Sequence, residues 1–341
     1  MDTINNKASK NIARVTAEYK EAYRIRNTNN EYLAKITGKQ IFNATERQDY
    51  PAVGDWVYFT ILDKERAIIN GILPRKTILK KKYSNKYENQ VIASNLDTAF
   101  IIESADRDYN LNRFERYLIL VREGNIEPVF VLNKIDLISE TERDLKITQI
   151  KNRFRDICII ITSTIIDNGL KELEGQIMAD KTYCFLGSSG VGKSSLINGL
   201  LGKEALKTNV ISWSTGKGKH TTTNRQMYFL KNGGIVVDNP GMREIGMTDS
   251  NIGILNVYDD ISILSQMCKF RRCTHIHEPG CAVLSAIKSG DLDKDKYANF
   301  IKLKKEVDYY AMTKSERKSK DKKFGKFIKK TLKQLEKAKY K

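Results

Sequence analysis

The chain contains no run approaching about twenty uncharged apolar residues, so nothing in it reads as a membrane-crossing helix. Its opening residues, MDTINNKASK, hold neither the apolar run nor the cleavage site of a secretion signal, and the expectation is a cytoplasmic protein that does not engage a membrane. Cysteine is scarce: five among 341 residues, an odd number, which argues against a disulfide framework. No segment repeats at a fixed period, which argues against a solenoid. Acidic residues are outnumbered, 41 against 59 Lys and Arg, leaving a net charge of +18. Core material is not lacking, since 40% of the residues are hydrophobic and the length suits two or three domains.

The charge is unevenly spread. From Thr313 to Lys341 there are thirteen Lys or Arg against three Asp or Glu, so ten of the eighteen net charges lie in that tail. Such a tail favours a polyanionic partner, because each neutralised phosphate releases counterions; the alternative is a solvated tail that keeps the chain soluble. Phe324, Phe327, Ile328, Leu332 and Leu335 recur at helical spacing, which predicts an amphipathic helix with a cationic face.

Three segments differ in rhythm. Residues 1–92 run as short alternating stretches (ARVTAEY, AYRIR, EYLAKI, DWVYFTI, RAIINGIL) separated by polar turns, the pattern of a small β-barrel with an OB-fold as leading candidate. Its Lys, Arg and Tyr content, and the PRKTILKKKY that follows, suit RNA binding. Residues 93–245 alternate apolar strands with amphipathic helices, which predicts an α/β nucleotide-binding domain around a parallel sheet. Residues 246–341 carry short helices, a cysteine cluster and the lysine-rich end, a mostly α region.

Gly187, Ser188, Ser189, Gly190, Val191, Gly192, Lys193 and Ser194 fit G-x-x-x-x-G-K-[ST], with Ser195 next, between the strand-like YCFL and the helix-like SSLINGLL. Glycines there let backbone amides wrap phosphate oxygens, Lys193 bridges the terminal phosphates, and the Ser194 hydroxyl ligates Mg²⁺. Downstream, GGIVVDNPG ends a strand in Asp238, a candidate for the Mg²⁺ shell, and places Gly241 where its amide can meet a γ-phosphate. Between them, STGKGKHTTTN offers a switch threonine for Mg²⁺. Thr222 is the middle choice, and the spacing leaves open which of Thr221, Thr222 and Thr223 serves.

Asn133, Lys134 and Asp136 form NKID after the strand VFVL. A carboxylate at Asp136 can accept both the N1–H and the exocyclic amine of guanine, a pair adenine does not offer; Lys134 can pack along the base plane. Ser163, after ICIIIT, can offer a backbone amide to the guanine O6. NKID normally follows a phosphate loop, yet here it precedes one. CKFRRCTHIHEPGC supplies Cys268, Cys273, His275 and Cys281, with His277 as a spare, a donor set for a closed, structural Zn²⁺. Cys158 and Cys184 lie inside apolar runs and are expected as buried core thiols.

The barrel, NKID, GSSGVGKSS, GKHTTT, DNPG and C-x4-C-x-H-x5-C together resemble the ribosome small subunit-dependent GTPase A (RsgA) family of circularly permuted GTPases. VGDW at 53–56, LPRK at 73–76 and NRFERYL at 112–118 are similar to that family's pattern. The resemblance implies GTP hydrolysis stimulated by the small ribosomal subunit, a role in late small-subunit maturation, and rRNA contact by the barrel and zinc domain. It also implies Mg²⁺ with GTP and one structural Zn²⁺; a monomer is expected. Asn239 stands where the family usually has Thr or Ser. Met242 stands where many GTPases carry the glutamine that orients water, so intrinsic turnover is expected to be slow. His220, in the GKHTTT loop, is the candidate for positioning that water; the alternative is a surface residue. Competing readings are an RNA-binding assembly factor that GTP only locks, a permuted GTPase of the large subunit, and an ATPase, which NKID disfavours.

Asp136→Asn reverses the donor pattern opposite position 2 of the purine, so it should weaken GTP binding and favour xanthosine triphosphate. Titration with both nucleotides checks this, and an unchanged GTP affinity would remove Asp136 from the base pocket.

Overall fold

The computed structural model describes residues 11–82, 89–106, 109–206, 225–238 and 252–339. It divides into a first unit that runs through Gly246 and a second that comprises Met247–Lys341.

The first unit opens with β1 (Ile12–Glu18), β2 (Tyr23–Arg26), β3 (Glu31–Ile36), the short helix α1 (Gly38–Asn43), β4 (Trp56–Ile61) and β5 (Arg66–Ile72). Their order is β1-β2-β3-β5-β4, with β4 returning to β1, so five strands close a barrel; β3 and β5 run parallel and the other pairs antiparallel. Alternation in sequence becomes inside and outside: Tyr32 and Ala34 of β3, and Val57 and Phe59 of β4, face a core shared with Val15, Ile25 and Ile69. Leu33, Trp56 and Tyr58 face outward and are exposed. Irregular register between Val15 and Ala17, and again at Tyr58 and Phe59, sharpens the strand curvature that closure requires. This is the expected small barrel with OB-type strand order.

A hairpin of β6 (Ile78–Lys82) and β7 (Asn89–Ser94) leads to β8 (Thr98–Ser104), α2 (Leu111–Glu123), β9 (Glu127–Asn133), α3 (Glu140–Arg153), β10 (Cys158–Thr162) and α4 (Lys171–Gly175). The chain continues through β11 (Thr182–Leu186), α5 (Lys193–Leu201), β12 (Gln226–Phe229) and β13 (Ile235–Asp238). The spatial order is β10-β9-β8-β11-β13-β12, the first five parallel and β12 antiparallel to β13. Strands buried on both faces need near-continuous apolar sequence, and β8 and β9 have it. Val129 and Val131 pack with Leu173 of α4 and Leu196 and Ile197 of α5. On the other face, Phe130 lies 4.3 Å from Phe114 of α2 and 4.9 Å from Phe154 at the end of α3, measured between ring centres.

Buried ion pairs fasten these pieces. Asp55 of VGDW, fully buried, accepts from Arg75 of LPRK at both carboxylate oxygens (2.7 Å each) and from the Ala52 amide at 2.8 Å. Arg75 also donates to the carbonyls of Gln48 and Tyr50, so one guanidinium ties the β3–β4 connection to the barrel's exit. Gly54 is required beside it: its φ is +99°, and a Cβ there would lie 2.0 Å from the Ser94 carbonyl oxygen. Glu115 of α2, likewise buried, accepts from Arg153 at 2.8 and 2.9 Å.

One expectation is corrected. Cys184 is buried, and burial pushes its thiol well above the ordinary range, but Cys158 is exposed. Cys158 begins β10, the last strand of the sheet, where only alternate side chains are covered.

The second unit contains α6 (Ile252–Val257), α7 (Asp259–Gln266), α8 (Ala282–Ser289) and α9 (Lys294–Ala311); Tyr258, between α6 and α7, is buried with its ring centre 5.3 Å from that of Phe300 on α9. α10 (Lys314–Lys339) follows, capped by Thr313 with Glu316, and leaves Phe324 and Ile328 exposed. The tail is helical, as its spacing predicts. No helix among the described residues is long and apolar enough to cross a membrane.

Asp55→Ala should destabilise the first unit by about 3–5 kcal/mol, because it strands a largely buried guanidinium. Urea unfolding measures this, and a loss under 1 kcal/mol would contradict it.

Candidate functional site

Five parallel strands end on one edge of the sheet, so Thr162, Asn133, Ser104, Leu186 and Asp238, the last residues of those strands, share it. The phosphate loop follows β11. Gly187 sits at φ +153°, and a Cβ there would come within 2.4 Å of the Ile102 carbonyl oxygen on β8. Gly192 sits at φ +99°, and a Cβ there would lie 2.3 Å from Asn133 Nδ2. Both glycines let the loop lie against its neighbours. Val191 plugs the core from the loop, while Ser188, Ser189 and Gly190 stay partly open. Lys193 opens α5, and its Nζ donates to the carbonyls of Gly187 (2.8 Å) and Ser188 (2.6 Å), folded over the loop. Ser194 and Ser195 occupy the first turn of α5, where free amides and the helix dipole favour an anion.

Asn133 joins the two signatures. Its Nδ2 donates to the Val191 carbonyl at 2.8 Å, and its Oδ1 accepts from the Thr162 hydroxyl at 2.9 Å. Thr162 is its register partner across β9 and β10, and both residues are buried. Lys134 takes a left-handed conformation (φ 61°, ψ 40°), with its Nζ 3.8 Å from Asp106 Oδ2. Asp136 lies in the turn that follows, and its Oδ1 accepts from the Ser163 hydroxyl at 2.6 Å. That hydroxyl also accepts from the amides of Ile165 (3.1 Å) and Ile166 (3.3 Å), so its proton points to the carboxylate. The Ser163 amide donates to the Gly169 carbonyl at 3.1 Å. Ser163 therefore aligns Asp136 through its side chain, while its amide, the group singled out from the sequence, donates to Gly169. Asp238 ends β13 and is buried on the same edge. Thr162 and Asp106 were missed by pattern reading; the one available signal was a threonine closing an otherwise aliphatic strand directly before Ser163.

His220, Thr221, Thr222, Thr223 and Gly241, with Asn239 and Met242, lie outside the described residues.

In the second unit, Cys268, Cys273, His275 and Cys281 bring one ligand atom each within 4.8 Å of one another, a cluster that can hold a metal ion. His277 is exposed and not part of it. His275 presents Nδ1, 3.6 Å from the Cys268 sulfur and 3.5 Å from that of Cys281. Burial, with help from Lys304 and against Glu278, lowers the His275 pKa, a shift toward the neutral imidazole that can ligate. Glu278 braces the loop, accepting from the Thr274 hydroxyl and from the amides of Thr274, Ile276 and His277. Tyr297 of α9 donates to the His275 carbonyl at 2.5 Å.

A sheet that carries NKID, a phosphate loop and Asp238 on one edge, with the NKID strand ahead of the phosphate-loop strand in the chain, defines a circularly permuted P-loop GTPase. A family model described as RsgA GTPase matches residues 72–248. The chain is 40% identical over 317 residues to small ribosomal subunit biogenesis GTPase RsgA 1 of Bacteroides thetaiotaomicron, covering 92% of this chain and 88% of that protein. It is 37% identical over 308 residues to RsgA 2 of Listeria monocytogenes, covering 89% and 86%. The structure titled YjeQ from Thermotoga maritima aligns with a TM-score of 0.63 at 24% identity, over 87% of this chain and 98% of that one. YloQ, titled a circularly permuted GTPase, aligns at 0.59 and 23%, over 87% and 95%. The chain belongs to the RsgA family and is a GTP hydrolase.

Thr162→Val keeps shape but leaves the buried Asn133 Oδ1 without its donor, so nucleotide affinity should fall by about 1–3 kcal/mol. Calorimetric titration with GDP checks this; wild-type affinity would show that the threonine does not hold the Asn133 amide in place.

Proposed function

We propose that this GTPase binds the small ribosomal subunit and hydrolyses GTP in late small-subunit maturation, with nucleotide state controlling its hold on rRNA. The observation that carries the reading is likeness to proteins named for small ribosomal subunit biogenesis along nearly the whole chain, barrel and cysteine cluster included. In this reading Asn133, Lys134, Asp136 and Ser163 form the base pocket, and Gly187 through Ser195 bind the phosphates. Ser194, Asp238 and one of Thr221–Thr223 hold Mg²⁺, Lys193 and the Gly241 amide stabilise the transferring phosphoryl group, and His220 positions water. The division into barrel (1–92), GTPase domain (93–245) and zinc domain (246–341), a cytoplasmic location and a monomeric state belong to the same proposal.

RNA contact by the barrel is supported by guanidinium–aromatic pairs at its surface. The exposed Arg24 lies over Tyr19 at 5.9 Å, and the exposed Arg26 over Phe229 of β12 at 4.4 Å. Such pairs offer both a charge for phosphate and a plane for a base.

The metal of the cysteine cluster is proposed to be Zn²⁺. A tetrahedral Zn²⁺ with bonds of about 2.3 Å to sulfur and 2.0–2.1 Å to nitrogen has sulfur–sulfur edges near 3.8 Å and sulfur–nitrogen edges near 3.6 Å. Cys268 and Cys281 are 3.8 Å apart, and their distances to His275 Nδ1 are 3.6 and 3.5 Å. Four protein donors fill the shell, so the ion would serve to fold the loop.

Phosphate release from GTP and from ATP, with and without small subunits, tests the function. GTP-selective turnover that the subunits accelerate at least about tenfold is expected; equal rates with and without them would overturn the ribosome-dependent reading. Elemental analysis of the same preparation should find one zinc per chain, lost in Cys281→Ala.

A further inference from the structure

Strand β12 has a neighbour on each side. Toward the GTPase sheet, Gln226 lies opposite Asp238; toward the barrel, the same Gln226 lies opposite Ala17 of β1. Asp238, Gln226 and Ala17 therefore form one row across three strands, and the row continues inside the barrel through Arg24. With strands about 4.8 Å apart, the barrel begins roughly 10 Å from the candidate Mg²⁺ ligand.

The main-chain part of this join is slight. β1 and β12 share one register pair and a 3.3 Å bond from the Glu18 amide to the Arg225 carbonyl. Side chains reinforce it: Arg225 Nη1 donates to Glu18 Oε2 at 2.9 Å, with the arginine side chain 14% exposed and the glutamate 31%. Farther along β12, the Arg26 guanidinium lies 4.4 Å from the Phe229 ring centre. Lys81 of the β6–β7 hairpin lies near enough for its ammonium to be disfavoured, first by burial and then by the Arg225 charge. Arg225 thus stands in a cationic neighbourhood where the Glu18 carboxylate supplies the opposing charge.

We propose that the Arg225–Glu18 pair is a latch that transmits nucleotide state to the barrel, coupling the end of β13 at Asp238 to the grip of the barrel on RNA. The inference rests on the reading of the preceding section, that nucleotide state controls subunit binding. A short ladder held at one end by a single ion pair has two arrangements, closed and frayed. A nucleotide that changes what Asp238 contacts biases that choice through Gln226, and RNA on the barrel biases it from the other side. Coupling of this kind is reciprocal. Glu18 belongs to the barrel and is no part of the nucleotide site, so its loss reaches the nucleotide only through the latch.

The test uses the full chain and purified small subunits, with affinities measured in GDP and in a non-hydrolysable GTP analogue. The ratio of the two affinities should fall about threefold or more in Glu18→Gln, while the variant without subunits still binds GDP and the GTP analogue. The exchanged pair, Glu18→Arg with Arg225→Glu, should recover the ratio, which a general loss of stability would not. A wild-type ratio in Glu18→Gln, or an exchanged pair that folds with wild-type melting but stays uncoupled, overturns the latch alone. Equal affinities of the wild-type chain in both nucleotides overturn the subunit-switch reading, and the latch with it.

Discussion

The first unit depends on one amide. Asn133 is buried between two segments, and its two ends are satisfied by different ones, Nδ2 by the phosphate loop at Val191 and Oδ1 by the β10 strand end at Thr162. A buried amide that loses either partner costs on the order of 1–3 kcal/mol, so the phosphate loop and the base-reading loop are held in one geometry. The close approach of Gly192 to that amide is the steric side of the same constraint. A binding site built from loops needs such pins, because catalytic power falls quickly when loops drift.

The pin is also indifferent to the permuted order of the strands. Parallel strands present the same end to the same edge whatever their sequence order, and hydrogen bonds act between neighbours in space. What permutation changes is the attachment of the flanking parts. The barrel enters through β6 and β7 ahead of the base-reading strands, yet it is hydrogen-bonded to β12 beside the candidate Mg²⁺ ligand, so barrel and phosphate end are adjacent although Glu18 and Arg225 are 207 positions apart.

Much of the site was legible. The phosphate loop needs glycines at set intervals and a following Lys-Ser, and a metal cluster needs thiols and imidazole in a compact loop, so both leave marks in spacing alone. Alternating exposure announced the barrel, and continuous apolar runs announced the parallel sheet. VGDW and LPRK were visible as patterns but mute as physics until Asp55 was found accepting from Arg75. Cys158 misled because an apolar run does not tell an edge strand from a central one. At Ser163 the sequence pointed to the amide, whereas in the fold the amide donates to the Gly169 carbonyl and the hydroxyl to Asp136.

The division follows from range. Chemistry set by neighbours within one loop or one turn (phosphate cradling, metal ligation, helix capping) depends on local spacing, and the linear chain carries it in full. Contacts such as Asn133 to Val191, Arg75 to Asp55 and Arg225 to Glu18 join residues 58, 20 and 207 positions apart, and no periodicity links such pairs. They exist because packing one sheet, and closing one barrel against it, leaves buried polar groups that must find partners in the folded chain.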